Sequence, residues 1–223
     1  ADGIVSNAKL AQDIISAETA LGATPADTDE LLVSDAGTLK RMDYSHIKGG
    51  GMWEKISHQS ISDDATVDFT TFSSDYQDFK LVGSGVRPAT DCVDPQMRLY
   101  VAGSVVTASS YRYGNVGHDS DANTKTSAGN AVAFIKLFPP DSPAGNASNE
   151  CAYFESVLGD VHSTSLYKTV MTNGILRTDN NRAQPTSGGA LLDNTAALTG
   201  VRFYFSSGNV TEGEFTLYGR KIT

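Results

Sequence analysis

Near its end the chain alternates apolar and polar residues with a period of two, and few folds accept that pattern. Val201, Phe203 and Phe205 alternate with Arg202 and Tyr204; beyond a Ser-Gly-Asn turn, Phe215 and Leu217 alternate with Thr216 and Tyr218. Successive side chains of a strand point to opposite faces, so each run reads as a strand with one buried face. The turn between them predicts a β-hairpin that closes a sheet at the terminus.

The same signal recurs upstream. Candidate strands are Trp53–Ile61, Ala65–Phe72, Asp78–Val86, Gln96–Ser104, Ser109–Tyr113, Ala131–Phe138, Ala152–Val157, Tyr167–Thr172, Ile175–Arg177, Val201–Phe205 and Glu214–Ile222. Val67/Phe69 and Met97/Leu99/Val101 alternate cleanly, and Gly, Asp, Asn and Pro stand between the runs. Short strands joined by tight turns predict a mainly β, jelly-roll-like sandwich over residues 52–223. No long helical period interrupts them, which argues against a βαβ enzyme scaffold. Two polar stretches, Gly114–Gly129 and Pro139–Asn149, read as long surface loops, the places where such folds carry binding residues.

Residues 1–48 read differently. Ser6 or Asn7 can cap a helix that ends at Gly22, and Leu10, Ile14, Ala17 and Leu21 follow the 4-3-4 spacing of a coiled-coil seam. About two heptads are too short to stand alone. The segment is therefore either a helix packed on its own domain or a trimerisation stub. Thr24–Asp29 is turn-like. Glu30–Ser34 and Thr38–Met42 then flank Asp35-Ala36-Gly37 as a second hairpin, which needs a partner to be stable. Gly49-Gly50-Gly51 forms a joint between this helix-and-hairpin arm and the head. No Lys-Ser/Thr pair follows these glycines, so they do not read as a phosphate loop.

Charge narrows the partners. With 17 basic and 26 acidic residues the chain carries −9, which lacks the basic footprint that nucleic acid or an anionic membrane requires. No run has the length of a spanning helix or the pattern of a signal peptide. The first residue is Ala1, as expected of a processed chain or of a piece of something longer.

Residues that could carry chemistry are sparse, and we expect no enzyme, no metal and no cofactor. His46, His58, His118 and His162 stand at no catalytic or ligand spacing, and nucleophile-elbow and nucleotide-loop motifs are lacking. Asp119-Ser120-Asp121-Ala122-Asn123 imitates the start of a calcium loop. Thr124 replaces its sixth-position glycine and Asn130 its final glutamate, so a solvated acidic turn is expected. The acid pairs Asp27/Asp29 and Asp63/Asp64 read as turn residues. Cys92 and Cys151 are either two separate residues or one long-range disulfide. Six tyrosines and Trp53 could stack on sugar rings. Among these, Tyr111 and Tyr113 lead into the first polar stretch and, with His118, Asp119 and Asp121, form the candidate binding loop.

Several segments resemble virion structural proteins of tailed bacteriophages, especially those of marine and cyanobacterial phages. The N-terminal run Asp2–Ala11 resembles the short leading units of phage fibre proteins. Asp29-Glu30-Leu31-Leu32-Val33-Ser34-Asp35-Ala36-Gly37-Thr38-Leu39-Lys40-Arg41-Met42 resembles a segment that precedes their terminal domains. Ser207-Gly208-Asn209 through Leu217-Tyr218-Gly219 resembles their closing hairpin, and Phe72–Asp91 is similar in style. The resemblance implies a homotrimer with an N-terminal attachment element and a jelly-roll-like head, located in the virion. It implies other phage virion proteins of the tail or capsid as partners, with a host surface glycan as a candidate target. Two roles fit: a tail fibre or receptor-binding protein, placed first, and a capsid decoration protein. A carbohydrate-binding module or polysaccharide hydrolase is the reading from a different class.

Overall fold

A computed structural model describes residues 21–23, 25–47, 52–139 and 143–221. The chain divides into two compact units, Ala1–Gly50 and Gly51–Thr223. The helix expected over the first segment, with Leu10, Ile14 and Ala17, lies outside the described residues, as does the glycine joint.

In the first unit β1 (Glu30–Asp35) pairs antiparallel with β2 (Thr38–Asp43), followed by a 3-10 turn at Tyr44–His46. Ala36 and Gly37 both adopt positive φ, 48° and 85°, the left-handed pair that lets a two-residue turn match the strand twist. The base of the hairpin is closed by backbone bonds, Tyr44 N–H to Asp29 O at 2.7 Å and Ser45 N–H to Asp27 O at 3.2 Å.

The second unit is built of antiparallel strands in two open sheets. The larger runs in the order β3 (Glu54–Asp64), β15 (Val210–Lys221), β5 (Tyr76–Pro88), β11 (Ala152–Gly159), β12 (Lys168–Arg177), β13 (Ala183–Leu192), β8 (Tyr111–His118), β9 (Thr124–Val132). The smaller runs β10 (Ile135–Lys136), β6 (Pro95–Val101), β14 (Leu198–Phe205), β4 (Val67–Phe69), with β7 (Ser104–Val105) also paired to β6.

The core lies between the sheets. Phe154 of the large sheet stacks on Phe203 of the small one at 5.2 Å between ring centroids, and Phe203 meets Phe215 at 5.1 Å. Met97, Leu99, Val201, Leu81, Leu158 and Leu217 are buried around them. Each such side chain is worth about 1.5–3 kcal/mol of burial, which is what holds two otherwise amphipathic sheets together.

Several expectations are corrected here. The closing strands β14 and β15 do not pair with each other. β14 joins β4 and β6 in the small sheet, while β15 joins β3 and β5 in the large one. The turn at Ser206–Asn209 is thus an arch that carries the chain from one sheet to the other, so Phe203 and Phe215 meet across the core instead of side by side. The Gly114–Gly129 stretch is not a loop but most of the β8–β9 hairpin at the sheet edge. Tyr167–Thr172 and Ile175–Arg177 merge into the single strand β12, and β13 fills a stretch with no expected strand. The Pro139–Asn149 stretch is also tied down in its described part: Ala144, 2% exposed, bridges Val93 and Thr178.

Candidate binding face

The five residues assigned to a binding loop do not form one surface. Tyr111 is fully buried. Its hydroxyl accepts from Leu99 N–H at 2.9 Å and donates to Val106 O at 3.1 Å, so it is a core residue that pins β6 and the following turn. Burial pushes its phenol up to about 12. Tyr113 is half-buried on the inner face, its ring 6.5 Å from Phe134. His118 is exposed at the end of β8, with Nδ1 3.3 Å from the Thr124 hydroxyl. Leu21, last member of the coiled-coil spacing, is 66% exposed.

Asp119 and Asp121 close the β8–β9 turn. One Asp119 carboxylate oxygen accepts from Asn123 N–H at 2.9 Å and from Asp121 N–H at 3.0 Å. Arg182 reaches its other oxygen at 3.4 Å and binds Asp121 at 2.7 Å. The Asn123 backbone bond, helped by the Asn123 side chain and Arg182, holds the Asp119 carboxyl below the usual carboxylate range. The apparent calcium loop is thus an Asx-type turn whose carboxylate is already committed. Among the described residues no group of three His, Cys, Asp or Glu is placed to hold a metal. Cys92 and Cys151 are both free and exposed. His58 lies between Glu214 and Thr216, each at 2.9 Å, and His162 bonds Tyr76 O at 2.9 Å.

What the fold does assemble is the outer face of the large sheet. Strand register places Tyr218, Lys80, Val157, Met171, Gly189, Gly114 and Ala128 in one row across seven strands. The next row begins Thr216, Val82, Glu155, Asn173, Ser187 and Val116. Their inward neighbours, such as Leu81, Leu158 and Val170, are buried, which fixes these side chains outward.

The face has two halves. Toward β15 and β5 it is aromatic and charged: the Lys80 ammonium lies 5.1 Å from the Trp53 ring and 5.5 Å from that of Tyr218, and 3.8 Å from Glu155. Such a group offers ring faces, a cation and a carboxylate to a polar ligand. Toward β12, β13 and β8 it is apolar and low. Gly114 and Gly189 leave a bare floor between Met171, Leu191, Thr169 and Arg112, a groove of about 420 Å³. Arg112 is held at the rim by Asp193 at 2.7 Å. A second groove of about 470 Å³ includes Tyr153, Ile175, Cys151 and Arg177. Met171, Ile175 and Tyr153 are all exposed on this face; Tyr153 and Ile175 are opposite each other, and the Glu155–Asn173 pair separates them from Met171.

The outer face of the small sheet is closed on itself. Arg202 grips Asp68 through two bonds, 2.7 and 2.9 Å, and Tyr100 donates to the same carboxylate at 2.8 Å. Burial works to raise the Asp68 pKa, but these partners and Thr66 outweigh it and the carboxyl is held low. Asp68, Arg202, Tyr100 and Thr66 are thus spent on one another, while the buried Tyr204 hydroxyl on the same strand as Arg202 has no hydrogen-bond partner among the described residues.

Sequence reasoning missed Met171, Ile175, Leu191 and Val116. The signal was present as apolar neighbours in pairs, Val170-Met171, Ile175-Leu176 and Leu191-Leu192. A strand with apolar residues on both faces expects cover on both.

Fold and face together define a mainly β protein whose second unit is two antiparallel sheets with apolar residues exposed on the outer face of the larger, preceded in the chain by a small hairpin. No family model, curated protein or solved structure matches the chain.

Proposed function

We propose that this chain is a structural protein of a tailed-phage virion: a homotrimeric tail-fibre or receptor-binding protein with a jelly-roll-like head and an N-terminal attachment arm. One observation carries the reading. The second unit has a continuous core of its own, whereas the described residues of the first form one hairpin with Leu31, Leu32 and Leu39 exposed. A lone hairpin is marginal in water, so that unit is made to be completed by something else. Self-sufficient head and dependent arm are the division of labour of an attached module. On this reading the outer face of the large sheet is the surface offered to the host, its aromatic and charged half suited to a surface glycan.

The capsid-decoration role is the second reading, because a helix-and-hairpin arm followed by Gly49-Gly50-Gly51 suits attachment to a capsid as well as to a tail. Immunogold labelling of purified virions with antibody against the head separates the two. Label confined to the tail is the expected result. Label spread over the capsid moves the assignment to decoration, and particles free of label overturn both.

A further inference from the structure

We propose that the face of the N-terminal hairpin carrying Leu32 and Leu39 is a contact between copies of this chain. The inference deepens the trimer reading above and rests on it.

Register sets the geometry. Leu32 is opposite Arg41, and Ser34 is opposite Leu39, so the two leucines are diagonal neighbours on one face. They are 73% and 69% exposed. Leu31, Val33 and Met42 share the other face. The hairpin is therefore apolar on both sides, where a solvated antiparallel pair keeps one side polar. Its base is tied by the Asp29–Tyr44 and Asp27–Ser45 backbone bonds, and its turn has the left-handed geometry the strands require. It is a built element that presents these leucines.

Charge and sequence decide the occupant. Arg41 pairs with Glu30 at 2.7 Å and with Asp43 at 3.9 Å, all on the Leu32/Leu39 face. Lys40 pairs with Asp35 on the other. Both cations of the hairpin are thus met locally, and neither is left to select an acidic foreign partner. In sequence, the Leu10, Ile14, Ala17, Leu21 spacing runs up to the turn that enters this hairpin, and on the trimer reading that seam brings further copies to the same place. A copy of the chain supplies an identical apolar face at fixed stoichiometry, next to a segment that asks for the same partner.

The test is the mass of the full chain in solution at micromolar concentration, by light scattering. Wild type is expected at three chain masses and the Leu32→Asp/Leu39→Asp variant at one, a threefold drop. Trp53 fluorescence and the melting temperature of the head stay unchanged. A variant that keeps three chain masses overturns this inference and leaves the trimer standing. A wild type at one chain mass overturns both. A second variant guards against misfolding of the first: Leu32→Cys/Leu39→Cys with Cys92→Ser and Cys151→Ser, oxidised. Chain-to-chain crosslinks on a non-reducing gel are expected. Single chains alone, which is what a leading segment of the same chain folded over this face produces, overturn it.

Discussion

Lys168 takes an ammonium group into the interior with no carboxylate in ion-pair reach among the described residues. Its Nζ donates to three backbone carbonyls instead: Ser163 O, Leu166 O at 3.0 Å and Thr195 O at 3.1 Å. It thereby fastens the β11–β12 connection to the β13–β14 connection. Burial lowers its pKa, with Asp160 pulling weakly the other way. The folded state therefore releases this proton before the unfolded state does, and this group's contribution to stability rises as pH climbs from the lowered value toward the ordinary one of about 10.4. Lys168→Met keeps the stem and strands three acceptors, so we expect a loss of about 1–3 kcal/mol at pH 7 by urea titration. A change within about 0.5 kcal/mol sinks this account of Lys168. Tyr111 has the opposite sign. Its phenol is raised to about 12, so the unfolded chain ionises first and stability is lost as pH rises from 10 toward 12. At roughly 1.4 kcal/mol per pKa unit the loss is about 3 kcal/mol. Tyr111→Phe should be less stable at pH 7 by about 1 kcal/mol, for the bonds to Leu99 and Val106, and should lose less than wild type in this alkaline window. Parallel curves for the two proteins between pH 10 and 12 count against it.

At the scale of elements, the turn at Asp119 governs an edge. β9 is bonded on one side only, to β8, and its inward residues are Lys125, Ser127 and Gly129 in place of large apolar ones. Its pairing with β8 and the packing of Val132 hold it, and the closing turn sets where that pairing begins. Asp119→Ala removes the acceptor for two backbone amides; Asp119→Asn keeps an oxygen and loses the charge that Arg182 meets. Amide exchange in Thr124–Val132 should therefore quicken in the order wild type, Asn, Ala. Equal protection in all three contradicts the assignment. The carboxyl is held low, so its contribution is present above its unfolded pKa and is lost as pH falls through the folded value. The reason this hairpin reads as a loop lies in the same residues. Asn115, Gly117, Ser127 and Gly129 occupy inward positions, and a hydrophobic alternation cannot be seen where the inward side chains are polar or missing. β13 hides likewise: Gln184 and Thr186 are its buried residues beside Leu192, and Pro185 and Gly188-Gly189 read as breakers. A methyl at Gly188 would come within 1.9 Å of Asn115 Oδ1, so the glycine that obscures the strand is what lets it sit beside β8. In β14 and β15 the buried faces were legible to the residue, but period two says which face is buried and nothing about which neighbour takes the backbone bonds.

For the whole molecule, the decisive fact is where the core is. The core residues run from Val67 to Leu217, and none is among the described residues of the unit Ala1–Gly50. The large sheet closes its own inner face against the small one, through Phe154, Phe203 and Phe215. The hairpin in turn contributes exposed leucines. On the proposed assembly, stability and association are carried by different units, and removing one should leave the other property intact. We expect residues 52–223 alone to melt within about 2 °C of the full chain, because no core side chain is lost, and a change of 1 kcal/mol would move a domain of this size by about 2–4 °C. The same protein should run at one chain mass where the full chain runs at three. Its Trp53 emission should match that of the full chain, since Lys80 and Tyr218, the groups around that ring, remain. A head that melts far lower shows that the units share their stability. A head that keeps three chain masses moves the copy-to-copy contact onto the large sheet, where Met171, Ile175 and Tyr153 supply the exposed patch to receive it.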